Sequence, residues 1–124
     1  MMEWLDAKKI IQAKIKTGLD VNTASSTFRS IKAVDAPIES GSYGYQNQRG
    51  FVVQIGKDSS ITIPWVVLQV CYQMLQSAEG YSGKSFRKDF ARQAKNHPCH
   101  VHVIGQIFVK AGLAEEKSDV YWPL

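Results

Sequence analysis

The chain has 124 residues, of which 44% are hydrophobic and 21% charged, with a formal net charge of +4. That size and balance give one domain able to bury its own core, and they exclude a disordered or low-complexity chain. The charge is local: between Gly80 and Lys110 stand six cations (Lys84, Arg87, Lys88, Arg92, Lys95 and Lys110) and one acid, Asp89, whereas residues 1–79 sum to +1 and residues 111–124 to −2. The longest apolar run, Trp65 to Leu68, is far too short to span a bilayer. Residues 1–17 are interrupted by Asp6, Lys8, Lys9 and Lys14 and lack the apolar stretch of a signal peptide. Two cysteines, Cys71 and Cys99, make no disulfide framework. These features lead to an expectation of a cytoplasmic protein with reduced thiols and no membrane partner.

Apolar residues at Trp4, Ala7, Ile11 and Ile15 recur at helical spacing, and Gly18 follows as a stop, so residues 4–16 are expected to form an amphipathic helix. Residues 20–26 are polar and loop-like. Residues 27–34 and 42–46 read as strands, separated by Asp35, Pro37 and Gly41. Phe51 to Ile55 and Ser60 to Ile63 are rich in β-branched residues and flank Gly56, Lys57, Asp58 and Ser59, which predicts a hairpin. Pro64 is placed to open a helix running to about Ser77, apolar on most sides and therefore buried. Ser85 is a candidate cap for a third helix through Lys95, with Phe86, Phe90 and Ala94 on one face and Lys84, Lys88, Arg92 and Lys95 on another. Pro98 begins a fourth helix ending near Gly112, and residues 120–122 suit a short closing strand. The expected class is α+β: an N-terminal helix, a three- to four-stranded antiparallel meander, and a three-helix C-terminal unit with a short strand.

The run from Ser85 to Tyr121 orders a basic amphipathic helix, a turn at Asn96 to Pro98, a helix with apolar Ile104, Ile107, Phe108 and Ala111, a glycine stop at Gly112, and a polar turn leading into Val120-Tyr121-Trp122. With the helix from Pro64 before it, the segment 64–122 resembles a winged helix-turn-helix domain. The resemblance implies a recognition helix over residues 99–111 whose outward stripe is His102, Gln106 and Lys110. Glutamine can pair with adenine, lysine can reach guanine or phosphate, and Gly105 would let a nucleic-acid backbone approach. Lys88, Arg92 and Lys95 would lie on phosphates, with Lys84 and Arg87 in the same basic patch. The turn itself carries Glu115, Glu116 and Asp119, which repel phosphate, and the strands before Pro64 have no counterpart in the minimal winged domain. The alternative for the same cations is a solvated helix face, or one that docks an acidic protein partner with apolar contacts from Tyr81 or Trp122.

All three histidines fall in His97-Pro98-Cys99-His100-Val101-His102. On a helix Cys99 and His102 share a face, and on a strand His100 and His102 do; either supplies two ligands where a structural zinc site needs four, so no metal or other cofactor is expected. Cys99 inside a helix N-terminus would have its thiol pKa lowered by the dipole, yet no oxyanion donor or orienting carboxylate can be named, and no catalytic residue is assigned. Ser40 to Gly44 and Gly83-Lys84-Ser85 lack the spacing of a phosphate-binding loop. Asp35 and Glu39 flank a turn and suit a solvated pair. Tyr43, Tyr45 and Phe51, with Arg29, Lys32 and Arg49 around them, offer a variant surface for stacking single-stranded bases. The sequence thus leads to a non-enzymatic DNA-binding module, with Lys84, Arg87, Lys88, Arg92, Lys95, His102, Gln106 and Lys110 at its interface.

Overall fold

A computed structural model describes residues 2–24, 28–38 and 43–124. The expectations for Thr27, Glu39 and residues 40–42 lie outside them. The fold is α+β, in the order α1 (Trp4–Lys14), β1 (Ser30–Ile38), β2 (Gln48–Gln54), β3 (Ser60–Pro64), α2 (Trp65–Leu75), α3 (Gly83–Asp89), α4 (Ala91–Asn96), α5 (Cys99–Lys110), β4 (Ala114–Lys117) and β5 (Val120–Pro123). None of these helices is long and apolar enough to cross a membrane.

Helix α1 buries Ala7 and Ile11 on the face that the spacing predicts, and Ile15 just beyond it is also buried. The chain then turns at Gly18, whose φ of +93° suits glycine. Trp4 packs on Trp65 and Tyr72 with ring centroids 6.3 and 5.7 Å away, which ties α1 to α2. The Lys8 ammonium lies over the Trp65 ring, 5.1 Å from its centroid.

Strands β1, β2 and β3 form an antiparallel meander. The expected hairpin is present as β2 and β3, with Phe51 opposite Ile63 and Val53 opposite Ile61. At Gly50 a side chain would overlap the backbone of Ile63 and Pro64, so β2 can approach β3 closely only with glycine there. The meander departs from expectation at its first strand. β1 continues through Asp35 and Pro37 to Ile38, and Tyr43 to Gln46 form a loop instead of a strand. A proline that would end a central strand is tolerated here because β1 is an edge strand with two register shifts, and Arg49 closes the pairing through Asp35 at 3.1 Å.

β3 passes straight into α2, with Pro64 as the N-cap. Helix α2 buries Trp65, Val67, Leu68, Cys71, Tyr72, Met74 and Leu75, as the all-round apolar pattern requires. The basic segment forms two short helices, not one. Ser82 caps α3 in a reciprocal pair with Ser85, the residue expected to be the cap. The helical path breaks at Phe90 (φ −131°, ψ 53°), whose ring is drawn inward between Phe86 and Tyr43, 5.1 and 5.2 Å away.

Helix α5 is the centre of the C-terminal half. It buries eight of its twelve residues, His100, Val101, Val103, Ile104, Gly105, Gln106, Ile107 and Phe108. It ends in a Schellman motif, in which the amide of Leu113 donates to the carbonyl of Phe108 and that of Gly112 to Val109, with Gly112 at φ +76°. A two-residue turn at Ser118 and Asp119, both with positive φ, joins β4 and β5 in a type I′ hairpin. Tyr81, between α2 and α3, exchanges both backbone hydrogen bonds with Tyr121 of β5 (2.9 and 2.7 Å), so a single residue extends the hairpin on its β5 side.

Candidate nucleic-acid interface

The five cations of α3 and α4 are all exposed. Lys84, Arg87 and Lys88 lie three and four residues apart on α3, and Arg92 and Lys95 three apart on α4, so each helix presents its charges on one side. Phe86, Phe90 and Gln93 face the opposite way and are buried. Lys88 reaches Glu79 at 3.5 Å, an exposed pair worth little in water. Lys84, Arg87, Arg92 and Lys95 form no ion pair among the described residues. Glu79 engages only Lys88, and Asp58 makes no ion pair among the described residues.

The base-reading stripe assigned to α5 is corrected. Gln106 is buried, and its amide nitrogen donates to the Tyr121 hydroxyl (3.4 Å) and to Glu116 (3.5 Å). His102 is half-buried, with Nδ1 3.0 Å from the same hydroxyl. Lys110 lies beside Asp20 at 3.7 Å, away from α3 and α4 in its pairing. The physical reason is Gly105. Its missing side chain leaves the space filled by the Tyr121 ring, which a Cβ at that position would overlap. The close approach expected of nucleic acid at Gly105 is made by the protein's own hairpin. That hairpin carries Glu115, Glu116 and Asp119, and Glu115 pairs with Lys117 at 3.2 Å, so the acidic turn offers phosphate no attraction. Tyr81, named as an apolar anchor for a docking partner, is fully buried and donates to the carbonyl of Val101 at 2.7 Å.

The histidine and cysteine cluster is dispersed by the fold. His100 is fully buried; its Nδ1 is hydrogen-bonded to the Tyr43 hydroxyl at 2.5 Å, and its Nε2 has no hydrogen-bond partner among the described residues. Burial, with the neighbouring His97, pushes the His100 pKa down to about 4. His97 is exposed, its ring 5.7 Å from that of His100. Among the described residues no three His, Cys, Asp or Glu side chains gather where they could hold a metal ion. The helix N-terminus does not activate Cys99, because burial raises its thiol pKa more than Arg29 and the local backbone amides lower it.

The stacking surface drawn from Tyr43, Tyr45 and Phe51 is reduced to one residue. Phe51 is buried, and Tyr43 turns inward onto Phe90 and His100. Tyr45 stays exposed. A strand over residues 42–46 would put both tyrosines on one face. Gly44, between them, takes a φ of +74°, outside strand geometry.

Comparison with family models, curated proteins and solved structures finds no significant match. The functional reading therefore stands on the residues and their arrangement.

Proposed function

We propose that the protein is a nucleic-acid-binding module whose contact surface is the cationic face of α3 and α4. One observation carries this reading: five exposed cations on two adjacent short helices, four of them without an ion-pair partner among the described residues. Guanidinium and ammonium groups so placed lower their energy by neutralising successive phosphates and releasing condensed counterions. The order of α2, the bridging Tyr81, α3 with α4, α5 and the β4–β5 hairpin supports the winged-helix resemblance. The contact mode differs from that of a groove-reading domain. Arg87, Lys88, Arg92, Lys95 and Lys84 hold the phosphodiester backbone, while α5, with Gln106 and His102 turned onto Tyr121, supports them from within. Such a surface binds with little sequence preference.

The test is fluorescence anisotropy of labelled random-sequence oligonucleotides with wild type, Arg87→Glu/Arg92→Glu, and Lys9→Glu/Lys16→Glu. The last variant makes the same change of net charge on exposed positions of and beside α1. The expected result is binding lost in the first variant and largely kept in the second. Equal loss in both would mean that net charge alone attracts the oligonucleotide, and the assignment of the face would fall.

A further inference from the structure

At the joint between α3 and α4 the cationic face borders a cleft of about 360 Å³, closed on its other side by the loop that carries Tyr43, Gly44 and Tyr45. We infer that this cleft holds one unpaired nucleobase, stacked on Tyr45, so that the nucleic acid taken by the cationic face is single-stranded. The inference rests on the reading of α3 and α4 as a phosphate-binding surface and names its substrate class.

Three observations carry it. First, Tyr45 is an exposed aromatic, at 36%, with no ring contact or hydrogen bond among the described residues, although most of the chain's other aromatic rings pack on a neighbour. Second, the loop presenting it is anchored. The Tyr43 ring meets Phe90 edge-on at 5.2 Å and its hydroxyl is held by buried His100, so the left-handed turn at Gly44 sends Tyr45 outward from a fixed base. Third, the opposite wall contributes both charges that a nucleotide uses. Arg92 and Asp89 both line the cleft, and neither forms an ion pair among the described residues. The Arg92 guanidinium suits the phosphate, continuous with Lys95 further along α4. The Asp89 carboxylate repels phosphate and accepts N–H groups from a base edge, so the strand lies with its backbone along Arg92 and a base toward Tyr45 and Asp89. The size of the cleft falls within the usual range for small-molecule sites of roughly 300–1,000 Å³. A base in a duplex cannot enter it without leaving its stack.

The experiment compares labelled homopolymeric single strands, an abasic strand of the same length and a duplex, each with the full chain as wild type, Tyr45→Ala, Tyr45→Phe and Arg87→Glu/Arg92→Glu. The expected result is that base-containing single strands bind more tightly than the abasic strand. Tyr45→Ala should weaken them roughly 5- to 150-fold without changing the abasic strand, and Tyr45→Phe should retain them. Equal binding of abasic and base-containing strands, still lost in Arg87→Glu/Arg92→Glu, would overturn the cleft and leave the cationic face standing. A duplex bound more tightly than any single strand, indifferent to Tyr45→Ala, would also overturn it. No binding to any oligonucleotide would overturn both readings.

Discussion

Replacing Gly105 by alanine separates a buried α5 from a groove-facing one. On an exposed helix the change is favourable by about 1 kcal/mol, because alanine restricts the unfolded chain and suits the helix. In this fold the new methyl group would occupy the space of the Tyr121 ring. The ring must move, which costs about 1–3 kcal/mol by overpacking. Its hydroxyl would also be pulled from His102 (3.0 Å) and Gln106 (3.4 Å), costing about 0.5–1.5 kcal/mol more. After the propensity gain, a net destabilisation of about 0.5–3.5 kcal/mol remains, which for a domain of this size lowers Tm by roughly 2–15 °C. Thermal and urea unfolding followed by circular dichroism measure it. A cycle with Tyr121→Ala sharpens the result, since with the ring gone Gly105→Ala should become neutral or stabilising. If Gly105→Ala in the otherwise unaltered protein were neutral or stabilising, Tyr121 would not pack on α5 as described, and the correction of the recognition helix would fail.

Other outcomes follow from the same contacts. Gly50→Ala should destabilise by about 2 kcal/mol or more, because the backbone of Ile63 cannot withdraw without losing the β2–β3 pairing, and equilibrium unfolding checks it. Tyr43→Phe removes the hydroxyl hydrogen-bonded to buried His100 and should cost about 1–3 kcal/mol in the same assay. The pKa of His100 is about 4 in the fold against an ordinary 6.5, so the unfolded chain takes up the proton first. This contribution is intact above pH 6.5, and stability should fall as pH drops toward about 4, by on the order of 3 kcal/mol in total. His100→Gln, whose amide can still hydrogen-bond Tyr43 but does not titrate, should flatten that part of the urea-midpoint profile. An unchanged slope would show that other groups set it.

The residues that read well in the sequence are those whose local pattern and tertiary role coincide. Ala7 and Ile11 mark the buried face of α1, Phe51 and Ile63 meet across the β2–β3 hairpin, and Gly112 stops α5 where a left-handed residue is required. The exposure of Lys84 to Lys95 was legible from the spacing of Phe86 and Phe90, which face inward. What spacing could not reveal are contacts between residues far apart in the chain. Nothing local to Gln106 or Gly105 says that Tyr121 covers them, and polar residues at i, i+4, i+8 read as a solvent stripe until a hairpin is placed over it. The break at Phe90 was hidden for the same reason, because its ring is drawn to Tyr43, 47 positions earlier in the chain. Tyr45 was flagged with the wrong neighbours. The strand geometry expected there fails at Gly44, whose φ is +74°, and a glycine's φ is not written in the sequence.

The claim that α3 and α4 form a phosphate-binding surface is tested most directly by the salt dependence of oligonucleotide affinity, measured by anisotropy for wild type and for Arg87→Glu/Arg92→Glu. Each phosphate neutralised on a single strand contributes about −0.7 to the slope of log K against log salt, so four or five contacts predict a slope of roughly −3. The account predicts that slope for wild type, with the variant bound at least about tenfold more weakly and its slope shallower by about 1.4. A wild-type affinity indifferent to salt, or a variant matching wild type in both affinity and slope, would contradict it.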